Sequence, residues 1–181
     1  MTKRLLLTAA AAALLTAVPA QAALKEGARV PSLVTQGSLA GKTFNFNLQQ
    51  ELRKGPVVLY FFPKAFTPGC SQEAQAFAAA IDDFKAEGAQ VIGMSGDNLD
   101  DLAKFSVKEC AGKFPVARAT PSTIQAFDVA LTMNGQRNDN MTNRTSYVIA
   151  PDGEITMVHS DLNWSEHVTK TLAAVRALKN S

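Results

Sequence analysis

Six consecutive apolar residues, Val57-Val58-Leu59-Tyr60-Phe61-Phe62, stopped by Pro63, constrain this chain more than any other stretch. A strand with no polar position has no face to give to water, so it belongs at the centre of a sheet with helices on both sides. The period changes directly afterwards. Ala74, Phe77, Ala78, Ile81 and Phe84 recur at helical spacing, which predicts a helix running from about Cys70 to about Gly88. Thr67-Pro68-Gly69 is the turn between the two, and it delivers a cysteine to the start of the helix. Backbone N–H groups at a helix start have no partners and the helix dipole is positive there, so a sulfur anion is favoured.

The remaining pattern fits the same architecture. Leu24 to Ser38 reads as an irregular lead-in, and Thr43 to Asn47 alternates like a half-buried strand. Val91 to Met94 is a second short buried strand. Asp97 or Asn98 can cap a helix carrying Leu99, Leu102 and Phe105, which ends near Cys110 and Gly112. Phe114 to Ala117 reads as a short strand, Ser122 to Phe127 as a short helix, and the polar, Asn-rich stretch from Thr132 to Asn143 as a loop. Thr145 to Ile149 and Glu154 to His159 flank the turn Pro151-Asp152-Gly153 as a hairpin. Asn163 with Glu166 resembles a capping box for a closing helix with Trp164, Val168, Leu172, Val175 and Leu178 on one stripe. The expected class is α/β, a thioredoxin-like sandwich with a central mixed sheet flanked by helices.

The first residues read differently. Lys3-Arg4, an apolar run from Leu5 to Val18, and Pro19-Ala20-Gln21-Ala22 have the order of a secretory signal cut after Ala22. The apolar run is shorter than the roughly 20 residues that span a bilayer. Residues 1–22 are therefore expected to be a signal peptide and residues 23–181 one domain, placed in the bacterial periplasm. Losing Lys3 and Arg4 takes the formal charge from +2 to zero, which gives no electrostatic case for nucleic acid or for a membrane surface as partner.

Chemistry concentrates on Cys70, because the chain has only two cysteines. Thr67 carries a hydroxyl three residues earlier and is also placed to cap the helix. Pro63 ends the strand and fixes the chain's direction. Glu73, one turn on, is either a favourable first-turn charge or a carboxylate that orients an arginine. A cationic neighbour would help the thiolate, and two arginines are candidates: Arg137 in the polar stretch, and Arg144 at the start of the Thr145–Ile149 strand. Cys110, 40 residues after Cys70, allows two readings. It could close a structural disulfide worth about 4 kcal/mol in chain entropy, or it could attack an oxidised Cys70 as a second thiol. His159 and His167 have no ligand spacing with either cysteine, so no metal and no cofactor is expected.

Pro63-x-x-x-Thr67-x-x-Cys70, after Gly55-Pro56 and the apolar strand, resembles the peroxiredoxins. The run Phe62-Pro63-Lys64-Ala65-Phe66-Thr67-Pro68-Gly69-Cys70 looks most like their bacterioferritin comigratory protein (type Q) branch. That resemblance implies a thiol-dependent peroxidase acting on hydrogen peroxide and organic hydroperoxides. Cys70 would attack the peroxide and become a sulfenic acid. Thr67 would bond the peroxide, Arg144 would stabilise the thiolate and the leaving oxygen, Pro63 would shield the pocket, and Glu73 would position Arg144. Many members of the branch carry a resolving cysteine five residues after the first, where this chain has Gln75. Cys110 fits the alternative placement in the following helix pair, implying an intramolecular Cys70–Cys110 disulfide, a thioredoxin-like or other dithiol reductant, and a monomer. A thiol–disulfide exchanger of the same fold would want Cys-x-x-Cys, which Cys70-Ser71-Gln72-Glu73 lacks, and a copper-handling relative would want sulfur at Ala74.

Overall fold

A computed structural model describes residues 23–179. The expected signal peptide, residues 1–22, lies outside the described residues, as do 180 and 181. The elements run β1 (Val34–Leu39), β2 (Lys42–Asn47), α1 (Leu48–Leu52), β3 (Val57–Phe61), α2 (Pro68–Ala86), β4 (Gln90–Ser95) and α3 (Leu99–Lys108). They continue through β5 (Val116–Arg118), α4 (Pro121–Ala126), β6 (Ala130–Met133), β7 (Gln136–Thr142), β8 (Thr145–Ile149), β9 (Ile155–Ser160) and α5 (His167–Lys179). A single 3-10 turn, Trp164–Glu166, precedes α5.

The main sheet has the order β2-β1-β5-β4-β3-β8-β9. The apolar run Val57–Phe61 is its middle, parallel to β4 on one side and antiparallel to β8 on the other. Its side chains alternate between two cores. Val58, Tyr60 and the following Phe62 meet α2, α3 and α5, where Ala74, Phe77, Ile81, Leu102, Phe105 and Val175 are buried. Val57, Leu59 and Phe61 meet α1 and α4 through Leu48, Leu52, Ile124 and Phe127. Burying a side chain of this size contributes about 1.5–3 kcal/mol. Aromatic contacts extend the first core from the strand to the helices: Tyr60 stacks on Phe77 at 4.4 Å and Phe62 on Phe105 at 5.1 Å between ring centroids. The mixed sheet between helical layers is the expected α/β class.

The lead-in and the Asn-rich stretch depart from the sequence reading, and the short helix α1 has no counterpart there. The lead-in contains β1, which pairs with β2 across its whole length and with β5 at Gly37 and Ser38. Only Gly37 and Ser38 combine burial with pairing on both sides; most of β1 faces solvent, so it shows no apolar alternation. The Asn-rich stretch is a hairpin, β6–β7, turning at Asn134-Gly135. Gln136 to Asn140 are all exposed, so burial leaves no pattern in the sequence. The hairpin is seated where Gly96 follows β4: a Cβ at Gly96 would collide with the Asn140 carbonyl, so this approach is open to glycine alone.

Candidate functional site

The site lies where β3 ends, α2 begins and β8 starts. Pro68 occupies the first turn of α2, where its missing N–H costs nothing, and Cys70 follows as the third helical residue, buried with 1% of its surface exposed. Thr67 holds the N-cap position but makes no side-chain cap. Its hydroxyl donates to the Lys64 carbonyl at 2.9 Å, which differs from the capping bond expected of it. Pro63 stands two residues beyond the end of β3, half-buried at the head of the loop.

That loop is held by Asp97, a residue the sequence offered only as a helix cap. Asn98 caps α3 instead, accepting from the Asp101 N–H. The Asp97 carboxylate accepts from the Ala65 N–H at 2.7 Å, the Ser95 hydroxyl at 2.7 Å and Lys64 Nζ at 2.9 Å. Burial pushes its pKa up, but those donors outweigh it and hold the carboxyl below its ordinary range. The Ser-x-Asp spacing at the end of β4 was the available signal.

Arg144 reaches the site through strand parity. On β8, Val148 faces the α2/α5 core while Tyr147 and Ile149 face the other. Successive even positions share a face, so Ser146 and Arg144 also project toward α2. Arg144 Nη2 donates to Cys70 Sγ at 3.4 Å, Nη1 pairs with Glu73 Oε2, and Nε donates to the Leu162 carbonyl at 2.8 Å. The guanidinium is thus fixed on three sides. Arg137, the other candidate, sits on the β6–β7 hairpin and pairs with Asp139 and Asp128.

Glu73 is fully buried. Burial pushes its carboxyl up to about 7, against the opposing pull of Arg144. Its second oxygen, Oε1, has no hydrogen-bond partner and faces His167 Nδ1 at 3.6 Å. His167, from α5, has no spacing in the sequence that ties it to this centre. It is buried, bonded through Nε2 to the Asp161 carbonyl at 2.9 Å and through Nδ1 to the Ser146 hydroxyl at 2.8 Å. Burial pulls its pKa down to about 4.

Cys110 follows the end of α3, a fully buried free thiol like Cys70. Burial, helped by Glu109, pushes its pKa well up, so it is a neutral thiol where it stands. A cavity of about 210 Å³ opens beside the centre, lined by Arg144, Asn143, Leu131, Ser160, Asp161 and Leu162. A larger cleft of about 490 Å³ lies along the far end of α2, near Ile81 and Lys85, and touches none of these residues.

A buried sulfur at a helix start, bonded to a rigid guanidinium, is a nucleophile prepared for a small electrophile that leaves with negative charge. The AhpC/TSA family model matches residues 27–158. The chain belongs to the AhpC/TSA family, on its Bcp/Q peroxiredoxin branch. It is 32% identical over 131 residues to a putative peroxiredoxin of Mycobacterium tuberculosis, covering 71% of this chain and 83% of that one. Against peroxiredoxin Bcp of Xanthomonas campestris it is 29% identical over 123 residues, or 67% and 76% of the two chains. Among solved structures, peroxidoxin BcpB of M. tuberculosis superposes with a TM-score of 0.75 at 29% identity, covering 86% of this chain and 98% of that one. Peroxiredoxin Q of X. campestris gives 0.68 at 28% identity, covering 78% and 89%. This peroxiredoxin is a thiol peroxidase with the thioredoxin-type fold of those neighbours.

Proposed function

We propose that the protein is an exported peroxiredoxin that reduces hydrogen peroxide and organic hydroperoxides through a Cys70 sulfenic acid resolved by Cys110. The Arg144 contact to Cys70 Sγ at 3.4 Å carries this reading. The thiolate attacks the distal peroxide oxygen, the O–O bond breaks, and the alkoxide or hydroxide leaves beside the guanidinium and takes up a proton. Cys110 then displaces water from the sulfenic acid and forms a disulfide. A thioredoxin-like or other dithiol protein returns both sulfurs to thiols and is itself oxidised. The burial of Cys110 supports the division of labour: a neutral thiol does not compete for peroxide, and it becomes a nucleophile once the end of α3 loosens. An alkyl peroxide reduction activity is stated for the X. campestris relative, which supports organic hydroperoxides as substrates.

The cysteine roles are tested by mixing reduced protein, residues 23–181, with hydrogen peroxide and following thiol loss and intact mass. Cys70→Ser should abolish rapid consumption. Cys110→Ser should consume one equivalent and stop at sulfenic or higher oxides. Equal slow reaction of wild type and Cys70→Ser would remove the peroxidase assignment of Cys70, and normal turnover of Cys110→Ser would remove Cys110 as resolving thiol. Export and monomeric state are checked by fractionation, by an N-terminus at Ala23 on the purified protein, and by its sedimentation.

A further inference from the structure

The buried groups around Cys70 do not balance in charge if each takes its ordinary form. Cys70 as thiolate and Glu73 as carboxylate bring two negative charges to the single positive charge of Arg144, all with 5% exposure or less. An uncompensated buried charge is expensive. One added proton removes it, and the proton has three places to go. On Cys70 it would silence the nucleophile; on Glu73 or on His167 it leaves the thiolate intact.

The geometry around His167 chooses between the last two. Nε2 faces the Asp161 carbonyl, which can only accept, so this nitrogen carries the ring's hydrogen. Nδ1 of the neutral ring is then a lone pair, receiving the Ser146 hydroxyl and facing Glu73 Oε1 at 3.6 Å. A bare carboxylate oxygen and a bare nitrogen lone pair would repel each other there. A hydrogen on Oε1 removes that repulsion and turns the 3.6 Å approach into an attraction between the acid's O–H dipole and the ring nitrogen it shares with the Ser146 hydroxyl.

We propose that Glu73 is a carboxylic acid in the reduced enzyme at neutral pH, its proton directed at Nδ1 of His167, so that the charge of Arg144 is left to the Cys70 thiolate. His167 is a positioning residue in this scheme: it touches neither peroxide nor sulfur and acts by keeping the Glu73 proton in place. The surroundings agree. Burial pushes Glu73 up and His167 down, so the carboxylate takes the proton before the ring does. The other titratable or charged groups facing the pair are Tyr60 on β3, Cys70 and Arg144 themselves, and His159 and Asp161 at β9. Lys170 on α5 and Glu166 before it reach His159 rather than Glu73. The proposal deepens the reading of Cys70 as the reactive thiolate and rests on it.

Infrared spectroscopy of the reduced protein tests it without peroxide. Wild type at pH 6 should show the C=O stretch of a buried carboxylic acid that Glu73→Gln lacks, and the band should vanish as pH rises past neutral. His167→Phe removes the acceptor and should move that disappearance down by at least about one pH unit, a tenfold loss of proton affinity. Ser146→Ala removes the competing donor and should move it up. Alkylation of Cys70 by iodoacetamide at pH 7 should slow several-fold in His167→Phe. Absence of the acid band in wild type, or a band whose pH dependence ignores both His167→Phe and Ser146→Ala, would overturn the proposal. Because the band is read on wild type, a His167 variant that fails to fold does not rescue it. A failure of the peroxide test at Cys70 would leave the band where it is, so the two outcomes stay separate.

Discussion

Replacing Glu73 by Gln should change how stability depends on pH, in a direction opposite to the usual effect of deleting a carboxylate. The Glu73 carboxyl is raised from 4.5 to about 7 in the folded protein. The folded state therefore holds its proton more tightly than the unfolded chain, and stability falls as pH rises from about 4.5 to about 7. At 1.36 kcal/mol per pKa unit this amounts to about 3 kcal/mol. His167 works the other way. Its pKa is lowered from 6.5 to about 4, so the stability it contributes is present above 6.5 and lost as pH falls toward 4, again about 3 kcal/mol. The two slopes cover almost the same window with opposite signs, and wild type should be nearly flat between pH 4.5 and 6.5 as far as this pair is concerned. In Glu73→Gln the His167 slope stands alone. Urea unfolding of wild type and variant at pH 5 and pH 6.5 measures it: the variant should gain about 2 kcal/mol on the wild type between the two, a midpoint change of roughly 1 M for an ordinary urea dependence. A stability difference that stays constant with pH would show that Glu73 is not held protonated by burial, and the charge argument at Cys70 would fall with it.

Arg144→Lys keeps the charge but cannot meet Cys70, Glu73 and the Leu162 carbonyl together; stopped-flow peroxide consumption should slow about 10²-fold. Asp97→Ala removes the acceptor shared by Ala65, Ser95 and Lys64, and should cost about 2 kcal/mol in urea unfolding while slowing peroxide consumption, because the loop that sets Thr67 loses its anchor. Gly96→Ala forces a methyl against the Asn140 carbonyl and should cost about 1–3 kcal/mol, with heightened proteolysis of the β6–β7 hairpin as the local sign.

How far the sequence could be read follows from where each signal comes from. The run Val57–Phe62 and the helical stripe Ala74, Phe77, Ile81 and Phe84 report burial directly, and β3 and α2 stand where they were expected. The β6–β7 hairpin has no buried face over Gln136–Asn140, so its Asn134-Gly135 turn was the sole cue and composition hid it. At the site, Cys70, Glu73 and Arg144 were all candidates, and the fold brings them into contact. Thr67 was visible too, but its hydroxyl is taken up by Lys64 rather than by the helix. His167 was not legible as part of the centre. It meets Glu73 only because α5 packs back on α2 and β8, a contact between residues far apart in the chain.

The alternation of β8 carries a consequence for how such a site can change. Arg144, Ser146 and Val148 face α2 because Thr145 is opposite Phe61 and Ile149 opposite Val57. A deletion or insertion of one residue between Arg144 and the paired part of β8 would turn the guanidinium to the other side of the sheet, although every amino acid of the site were still present. The centre is thus encoded in spacing as firmly as in residue identity. Its side chains can be exchanged one at a time, whereas the length of this connection behaves like a reading frame.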